Sequence, residues 1–175
     1  MNLYKKNLKK LIKNNIYTPS QEHDACGVGF VASTEGKKSR KVVEYGIQAL
    51  KAVWHRGAVD ADGKTGDGAG IHIEIPTDFF IERIKNAGRK HTEGTIGVGM
   101  IFLPRNDYVA QEKCKTLVEN ELLSKNYYIY RWRQVPVNTK VLGIKAEINR
   151  PEIVQVIFKS NNKNLKDDYL ERDLF

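Results

Sequence analysis

Segments with the apolar alternation of β-strands are separated along most of this chain by segments with the apolar spacing of helices. The strand patterns cover residues 27–33, 71–75, 95–103, 127–135 and 152–159, and the helical patterns cover residues 40–54, 77–88 and 108–124. No linker-like stretch divides the 175 residues, and this length is typical of one domain with a sizeable core. The pattern therefore predicts a mixed fold of helices and strands, with the first strand buried.

The first 25 residues differ in composition from the rest of the chain. Five lysines against two acidic residues give this leader a net charge of +3, and the other +5 of the total +8 is spread along the sequence. Residues 1–17 have the spacing of a short amphipathic helix, which Thr18-Pro19-Ser20 ends. The spread of charge favours a solvated basic surface over a nucleic-acid interface, and no run of about 18 apolar residues predicts a membrane span.

Cys26 stands at the junction between the leader and the first predicted strand. The chain has two cysteines, too few for a disulfide framework, which favours a free thiol in a reducing compartment. A thiol needs a base to become a nucleophilic thiolate. The α-amine of Cys26 could be that base near neutral pH, but only after the bond between Ala25 and Cys26 is cut. The alternative is a small residue packed at the start of a strand.

Two glycine-rich segments match nucleotide-binding motifs only in part. The run Gly27–Ala32 has the spacing of the dinucleotide fingerprint, but leader precedes it and a strand pattern follows, where the motif needs a strand and then a helix. In the loop from Gly57 to Gly70 the glycine interval is one residue too long for a phosphate-binding loop, and the aspartates lack calcium-loop spacing. We predict a turn-rich loop whose aspartates accept hydrogen bonds from their own backbone.

Metal ligation has little support in the sequence. The four histidines are dispersed and no Cys-x-x-Cys occurs, so no metal site is predicted, and each histidine is interpreted as an ordinary surface or strand-face residue. Cys114 falls within the third predicted helix, where we expect it to be a buried small apolar residue.

Several motifs resemble the amino-terminal region of the glutamate synthase large subunits. They are Ala25–Phe30, Trp54–Ala58 and Asp60–Gly70, with further similarity at Gly97–Met100, Trp132–Asn138 and Gly143–Phe158. The resemblance covers nearly all of the chain after Cys26, and the Asp60–Gly70 run is its most specific part. The Cys-Gly-Val-Gly start with a later His-Arg-Gly is shared more broadly by the class II glutamine amidotransferases.

The resemblance implies an α+β fold of the N-terminal nucleophile hydrolase type, a four-layer sandwich of two antiparallel sheets between helix layers. It implies that the leader, residues 1–25, is removed, and that residues 26–175 are the amino-terminal portion of a class II glutamine amidotransferase domain. In the family, the segments that form the oxyanion hole and grip glutamine come later than residue 175. We therefore expect a fragment with an incomplete sandwich, inactive by itself.

The resemblance also implies the chemistry and the roles of individual residues. Cys26 would be the catalytic residue, attacking the side-chain amide of L-glutamine to form a thioester, with release of ammonia and then glutamate. Arg56 would support the site loop near the nucleophile. The alternative interpretation is that Arg56 lies at a helix C-terminus, where its positive charge interacts favourably with the helix dipole. Gly57 and Asp67 would shape the loop without a catalytic role. The ammonia would pass to a flavin domain for reductive amination of 2-oxoglutarate.

Cofactors and partners are expected outside this segment. No cofactor or metal is expected here, whereas FMN and an iron–sulfur cluster are implied for the full-length protein. The implied partners are the rest of the polypeptide and a small electron-transfer subunit or ferredoxin, with no nucleic acid and no membrane, in the cytoplasm rather than a plastid or other organelle. Two alternatives remain: another class II glutamine amidotransferase with a different ammonia acceptor, and a non-catalytic scaffold or regulatory module in which Cys26 is buried.

Overall fold

The computed structural model describes residues 27–54 and 57–162, together with a few helical positions in the leader (Lys6, Lys9, Lys10, Ile12 and Lys13). The chain divides into two compact units, Met1–Gly57 and Ala58–Phe175. The boundary falls in the glycine-rich loop, a division that the sequence did not indicate.

The first unit contains helix α1, Arg40–Ala52. Ser39 caps it, because its side-chain oxygen accepts a hydrogen bond from the backbone N–H of Lys41 at 3.2 Å. The predicted helix and its cap are therefore confirmed, with the α-helical part ending at Ala52, two residues earlier than predicted.

The prediction of a buried strand over residues 27–33 is wrong. These residues have no regular structure, and the side chains of Val28 and Phe30 are 88% and 89% exposed. A strand needs a neighbour to satisfy its backbone N–H and C=O groups. Within the described part of the chain no segment pairs with residues 27–33.

The second unit is built on an antiparallel sheet of three strands. They are β1, Ile96–Leu103, β2, Tyr127–Gln134, and β3, Glu152–Ser160, and their spatial order is β1-β3-β2. All three agree with the predicted ranges to within one residue at each end. The register places Ile157 of β3 opposite Val98 of β1 and Arg131 of β2, and an irregularity between Ile129 and Arg131 shifts the β2 pairing.

Three helices accompany the sheet: α2, Thr77–Lys85, α3, Tyr108–Ser124, and the short α4, Ile144–Asn149. Helix α3 matches its predicted range and is capped by Asp107, whose Oδ1 accepts from the N–H of Ala110 at 2.9 Å. Helix α2 ends three residues before the predicted end, and a turn leads on to Gly88, whose φ of 72° suits glycine. Helix α4 and the 3-10 turn Thr139–Val141 were not predicted.

The core consists of two clusters on opposite faces of the sheet. The Ile157 cluster contains Phe80, Ile84, Ile96, Tyr130 and Ile157, and the Phe158 cluster contains Leu122, Tyr127, Val156 and Phe158. Successive side chains of β3 point to opposite faces, so α2 covers the face of Ile157 and α3 covers the face of Val156 and Phe158. The fold is thus an α+β arrangement of helices on an antiparallel sheet, as predicted at that level.

Helix α2 covers only part of its face of the sheet. Met100 and Phe102 lie on the same side of β1 as Ile96 and Val98, since they follow at intervals of two. They are nevertheless 47% and 63% exposed. This half of the face is therefore open among the described residues.

The prediction of a strand over residues 71–75 is also wrong. No residue of this segment belongs to a strand; Ile71 and Ile73 are exposed, and Ile75 packs against the Ile157 cluster at the entry to α2. Of the three isoleucines only Ile75 is partly buried, so their alternation does not mark a paired strand. Like residues 27–33, the segment has no strand partner in the described ranges.

Two smaller predictions need correction. Cys114, expected to be buried, is half-buried on α3. His91, expected to be an ordinary surface or strand-face residue, places Nδ1 at 2.7 Å from the hydroxyl of the buried Tyr130. No described helix is both long enough and apolar enough to cross a bilayer.

Candidate functional site: the Asp60–Gly70 loop

Two of the predicted site residues, Cys26 and Arg56, lie outside the described residues, so their roles stay predictions. The structure describes the other two, Gly57 and Asp67. The N–H of Gly57 donates to the carbonyl of Trp54 at 3.0 Å, which closes a turn after α1. Asp67 lies at the base of the loop, where it contacts Ala58.

The loop begins as a narrow ladder. The Asp67 Oδ2 atom accepts from the N–H of Ala58 at 2.8 Å, and the N–H of Asp67 donates to the carbonyl of Ala58 at 3.2 Å. Val59 and Gly66 form an isolated antiparallel bridge above this pair. Asp67 therefore holds the chain segments at Ala58 and Asp67 together at the base of the loop, through both its side chain and its backbone.

The tip of the loop is a tight turn around Gly63. The N–H of Asp60 donates to the carbonyl of Thr65 at 2.7 Å, and the N–H of Gly63 donates to the carbonyl of Asp60 at 2.9 Å. Gly63 has a φ of 67°, in the left-handed region that glycine adopts at little cost. A residue with a Cβ would strain this turn.

The Asp62 carboxylate organises the turn by accepting four hydrogen bonds. Its Oδ1 atom accepts from the N–H groups of Lys64 at 2.9 Å and Thr65 at 2.7 Å. Its Oδ2 atom accepts from the Thr65 hydroxyl at 2.6 Å and from the N–H of Ile144 at 3.1 Å. The Thr65 hydroxyl, followed by the backbone N–H groups of Thr65 and Lys64, holds the pKa of Asp62 well below its ordinary value.

Asp60 also uses both oxygens of its carboxylate. Its Oδ1 atom accepts from the N–H of Ala61 at 2.6 Å, and its Oδ2 atom lies 2.6 Å from the ammonium nitrogen of Lys145. The prediction that the aspartates of this loop accept hydrogen bonds from nearby backbone is therefore confirmed. No group of three or more His, Cys, Asp or Glu residues that could hold a metal ion occurs in the ranges that the structure describes.

The loop docks on a segment about 80 residues further along the chain. Ile144, the first residue of α4, donates to Asp62, and Lys145 pairs with Asp60. Gly143 is buried beneath the loop, and a Cβ built on it would overlap Thr65 Oγ1, Thr65 N and Asp62 Oδ2. The site therefore consists of two pieces of chain, and the sequence indicated only the first.

The sequence contains one weak signal for the second piece. Asn138 caps the 3-10 turn, since its side-chain oxygen accepts from the N–H of Lys140 at 3.2 Å. A helix of six residues, such as α4, is too short for apolar periodicity to reveal. Gly143 and Lys145 could not have been assigned to the site without the structure.

The chemistry of the described loop is that of a scaffold. Asp62 is a poor general base near neutral pH, because its pKa is strongly lowered. Asp60 is paired with a lysine, and Asp67 with a backbone N–H. The segment from Gly66 to Gly70 is exposed, and Gly68 and Gly70 have open space where a Cβ would lie. The loop can thus present a rigid, small-residue backbone to a neighbouring group.

Comparison with known protein families gives a match over most of the chain. The family described as glutamine amidotransferases class-II matches residues 26–175. The match begins at Cys26, the first residue after the leader.

Known proteins similar to this chain include three synthases. The "Glutamate synthase [NADPH] large chain" of Azospirillum brasilense is 54% identical over 172 residues, which are 98% of this chain and 11% of that protein. The "Ferredoxin-dependent glutamate synthase" of Pyropia yezoensis is 39% identical over 93% of this chain and 10% of its own length. The "Glutamate synthase [NADPH] large chain" of Bacillus subtilis is 35% identical over 91% and 10% respectively. The chain spans about a tenth of the length of these relatives.

Proposed function

This chain belongs to the class II glutamine amidotransferases, and we propose that it contributes the glutaminase part of a glutamate synthase large chain. The observation that carries the proposal is the family match, which starts at Cys26 and runs to residue 175. The identities of 35–54% to proteins named glutamate synthase support the choice of synthase over other amidotransferases.

In the proposed reaction, Cys26 is both the nucleophile and, through its own α-amine, the base. Removal of residues 1–25 frees the amine, which takes the proton of the thiol. The thiolate attacks the side-chain amide carbon of L-glutamine, and the carbon–nitrogen bond breaks as the amine returns a proton to the leaving ammonia. Water then hydrolyses the thioester, which releases glutamate and restores the thiol.

The Asp60–Gly70 loop and Arg56 have supporting roles in this proposal. Arg56 lies two residues before Ala58, whose N–H is bonded to the Asp67 carboxylate. The base of the loop at Ala58 directly follows Gly57 and Arg56 in the sequence. We therefore assign Asp67 and Gly57 to shaping the loop, and Arg56 to holding it near the nucleophile.

The complete protein is proposed to have the four-layer sandwich of the N-terminal nucleophile hydrolases. The antiparallel order β1-β3-β2 with α3 packed on one face supports one sheet-and-helix half of such a sandwich. The open half of the other face, at Met100 and Phe102, offers apolar surface against which a second sheet could pack.

The ammonia is proposed to pass to a flavin domain elsewhere in the polypeptide, where it aminates 2-oxoglutarate. An iron–sulfur cluster takes about four thiolate ligands, and this chain has two cysteines, so its own residues do not fit one. We propose that FMN and the cluster bind to the rest of the protein. The proposed partners are that remainder and an electron-transfer subunit or ferredoxin, with the cytoplasm as the compartment.

The test compares Cys26→Ala with Cys114→Ala in the full-length enzyme. Cys26→Ala should abolish glutamine-dependent formation of glutamate and leave the ammonia-dependent reaction intact. Cys114→Ala, which removes the half-buried thiol on α3, should leave both reactions intact. A glutamine analogue with an electrophilic side chain should label the mature protein at Cys26 and not at Cys114.

Mass spectrometry of the active enzyme gives the independent check. The first residue of the mature large chain should be Cys26. Active enzyme that retains the leader, or equal loss of the two reactions in Cys26→Ala, would contradict the proposal.

A further inference from the structure

The segment Gly143–Lys145 contacts the Asp60–Gly70 loop in three independent ways. The N–H of Ile144 donates to Asp62, the ammonium group of Lys145 pairs with Asp60, and Gly143 leaves the space that the Thr65 side chain fills. A hydrogen bond, an ion pair and a steric fit therefore meet on one turn of the loop. We call this set of contacts the loop latch.

We propose that the loop latch positions the Asp60–Gly70 loop for glutamine hydrolysis, with Gly143 and Lys145 as positioning residues that touch no substrate. The inference rests on the proposed glutaminase function. It adds a second segment of chain, 143–145, to a site whose residues predicted from the sequence all precede Gly70.

The three contacts differ in how strongly each can fix the position of the loop. The Lys145 side chain is 67% exposed and that of Asp60 is 30% exposed, and an ion pair open to solvent contributes little by itself. The Asp62 carboxylate, by contrast, accepts four hydrogen bonds, and its lowered pKa reflects them. Gly143 is buried, so any side chain there must displace Thr65 or Asp62. The steric fit at Gly143 is accordingly the most sensitive part of the latch.

The latch can affect the rate of the reaction only by changing the position of the loop. Asp60 and Thr65 are joined by a backbone hydrogen bond, and the ladder continues to the pair formed by Ala58 and Asp67. A shift of Thr65 is therefore transmitted to the base of the loop, from which the chain continues to Gly57 and Arg56. Displacement of a supporting element by about 1 Å can reduce a rate roughly 100-fold.

The experiment uses the full-length enzyme with Gly143→Ala, at the residue before α4. The matched control is Ile148→Ala within α4, where the side chain is exposed. Two quantities are compared: the rate of trypsin cleavage after the exposed Lys64, and kcat/KM for glutamine, resolved into kcat and KM. The ammonia-dependent rate serves as the internal reference. Gly143→Ala should accelerate cleavage after Lys64 several-fold. It should lower kcat/KM for glutamine roughly 10- to 100-fold and leave the ammonia-dependent rate unchanged. Ile148→Ala should change neither quantity.

If Gly143→Ala does not fold, the ammonia-dependent rate will be lost as well. Milder variants then provide the test. Asp62→Asn should then show the same two effects, Lys145→Met a smaller version of them, and Lys145→Arg should behave as wild type. Faster cleavage with unchanged glutamine kinetics would overturn the positioning role, and unchanged cleavage would overturn the latch. Failure of the glutaminase proposal would instead be seen as intact glutamine-dependent activity in Cys26→Ala.

Discussion

Ile144 donates its backbone N–H to the Oδ2 atom of Asp62 across 3.1 Å, although 82 positions separate the two residues in the sequence. The same carboxylate accepts three further hydrogen bonds within its own turn. One side chain thus satisfies both a local turn and the first N–H of a distant helix. Its charge should therefore influence stability strongly as the pH is lowered.

Asp62→Asn should remove part of the acid sensitivity of the fold. The pKa of Asp62 is lowered in the folded chain, so the folded state favours the ionised carboxylate. Its contribution to stability is present above the ordinary pKa of 3.8 and is lost as the pH falls through that value toward the lowered one. The thermal midpoint of the wild type should fall more steeply on acidification below about pH 4 than that of Asp62→Asn.

The matched control for Asp62→Asn is Glu82→Gln, which neutralises an exposed side chain on α2. This variant should keep the steep acid profile of the wild type. Identical acid profiles for Asp62→Asn and the wild type would show that the carboxylate is not favoured by folding.

His91 should make the fold less stable in mildly acidic solution. Burial, followed by the positive charge of Lys159, lowers the pKa of His91 below its ordinary value of 6.5, and the ring lies edge-on to Tyr130. The unfolded chain then binds the proton more readily, so stability decreases as the pH falls from 6.5 toward the lowered pKa. His91→Phe keeps an aromatic ring without a charge, and the dependence of its unfolding free energy on pH in this window should be flatter.

For His91→Phe, the exposed His72 provides the comparison. Urea unfolding of His72→Gln at several pH values between 5 and 7 should reproduce the wild-type slope. If His91→Phe has that slope as well, the contact between His91 and Tyr130 carries no titration-linked stability.

Truncation of Ile84 should be among the most costly changes in the second unit. Ile84 lies on α2 within the Ile157 cluster and is 0% exposed, so an alanine there leaves a cavity. Such substitutions cost about 2–5 kcal/mol. Leu117→Ala on α3, at a position 66% exposed, should change the unfolding free energy by about 0.5 kcal/mol or less. Equal losses in the two variants, measured by urea unfolding, would argue against α2 packing on the sheet.

Gly97→Ala should destabilise the sheet because β1 and the central strand β3 are packed too closely at this position for a methyl group. A Cβ on Gly97 would overlap the ring of Phe158, which is buried and packed edge-on against Tyr127 at a centroid distance of 5.5 Å. Overpacking of this kind costs about 1–3 kcal/mol. Gly70→Ala, where the Cβ would meet open space, is the control, and its thermal midpoint should stay close to the wild type.

The sequence allowed the sheet and its two main helices to be predicted because their signals are local. Alternating apolar residues marked β1, β2 and β3, and helical spacing marked α2 and α3. The same alternation at residues 27–33 and 71–75 led to wrong strand predictions. Periodicity reports which side of a segment is apolar, and it carries no information about whether a partner strand is present.

In the candidate site, too, the local contacts could be predicted and the long-range contacts could not. The bonds of Asp60 and Asp62 to nearby N–H groups could be predicted, since short acidic side chains in turns bond backbone one to three residues away. The docking of Gly143 under Thr65 could not be predicted, because neither segment contains a sequence pattern that indicates which distant segment it contacts. The roles of Cys26 and Arg56 stay predictions that the experiments above address.

Strand β3 lies between β1 and β2 in the sheet, yet it is the last of the three to leave the ribosome. Strand β1 ends at Leu103 and its neighbour β3 begins at Glu152, so at about 5–20 residues per second β1 is made roughly 2–10 s before β3 can pair with it. During that interval the apolar side chains of β1 and β2 have no common neighbour. Slow codons between these two points would lengthen the period in which a nascent chain is open to aggregation and to chaperones.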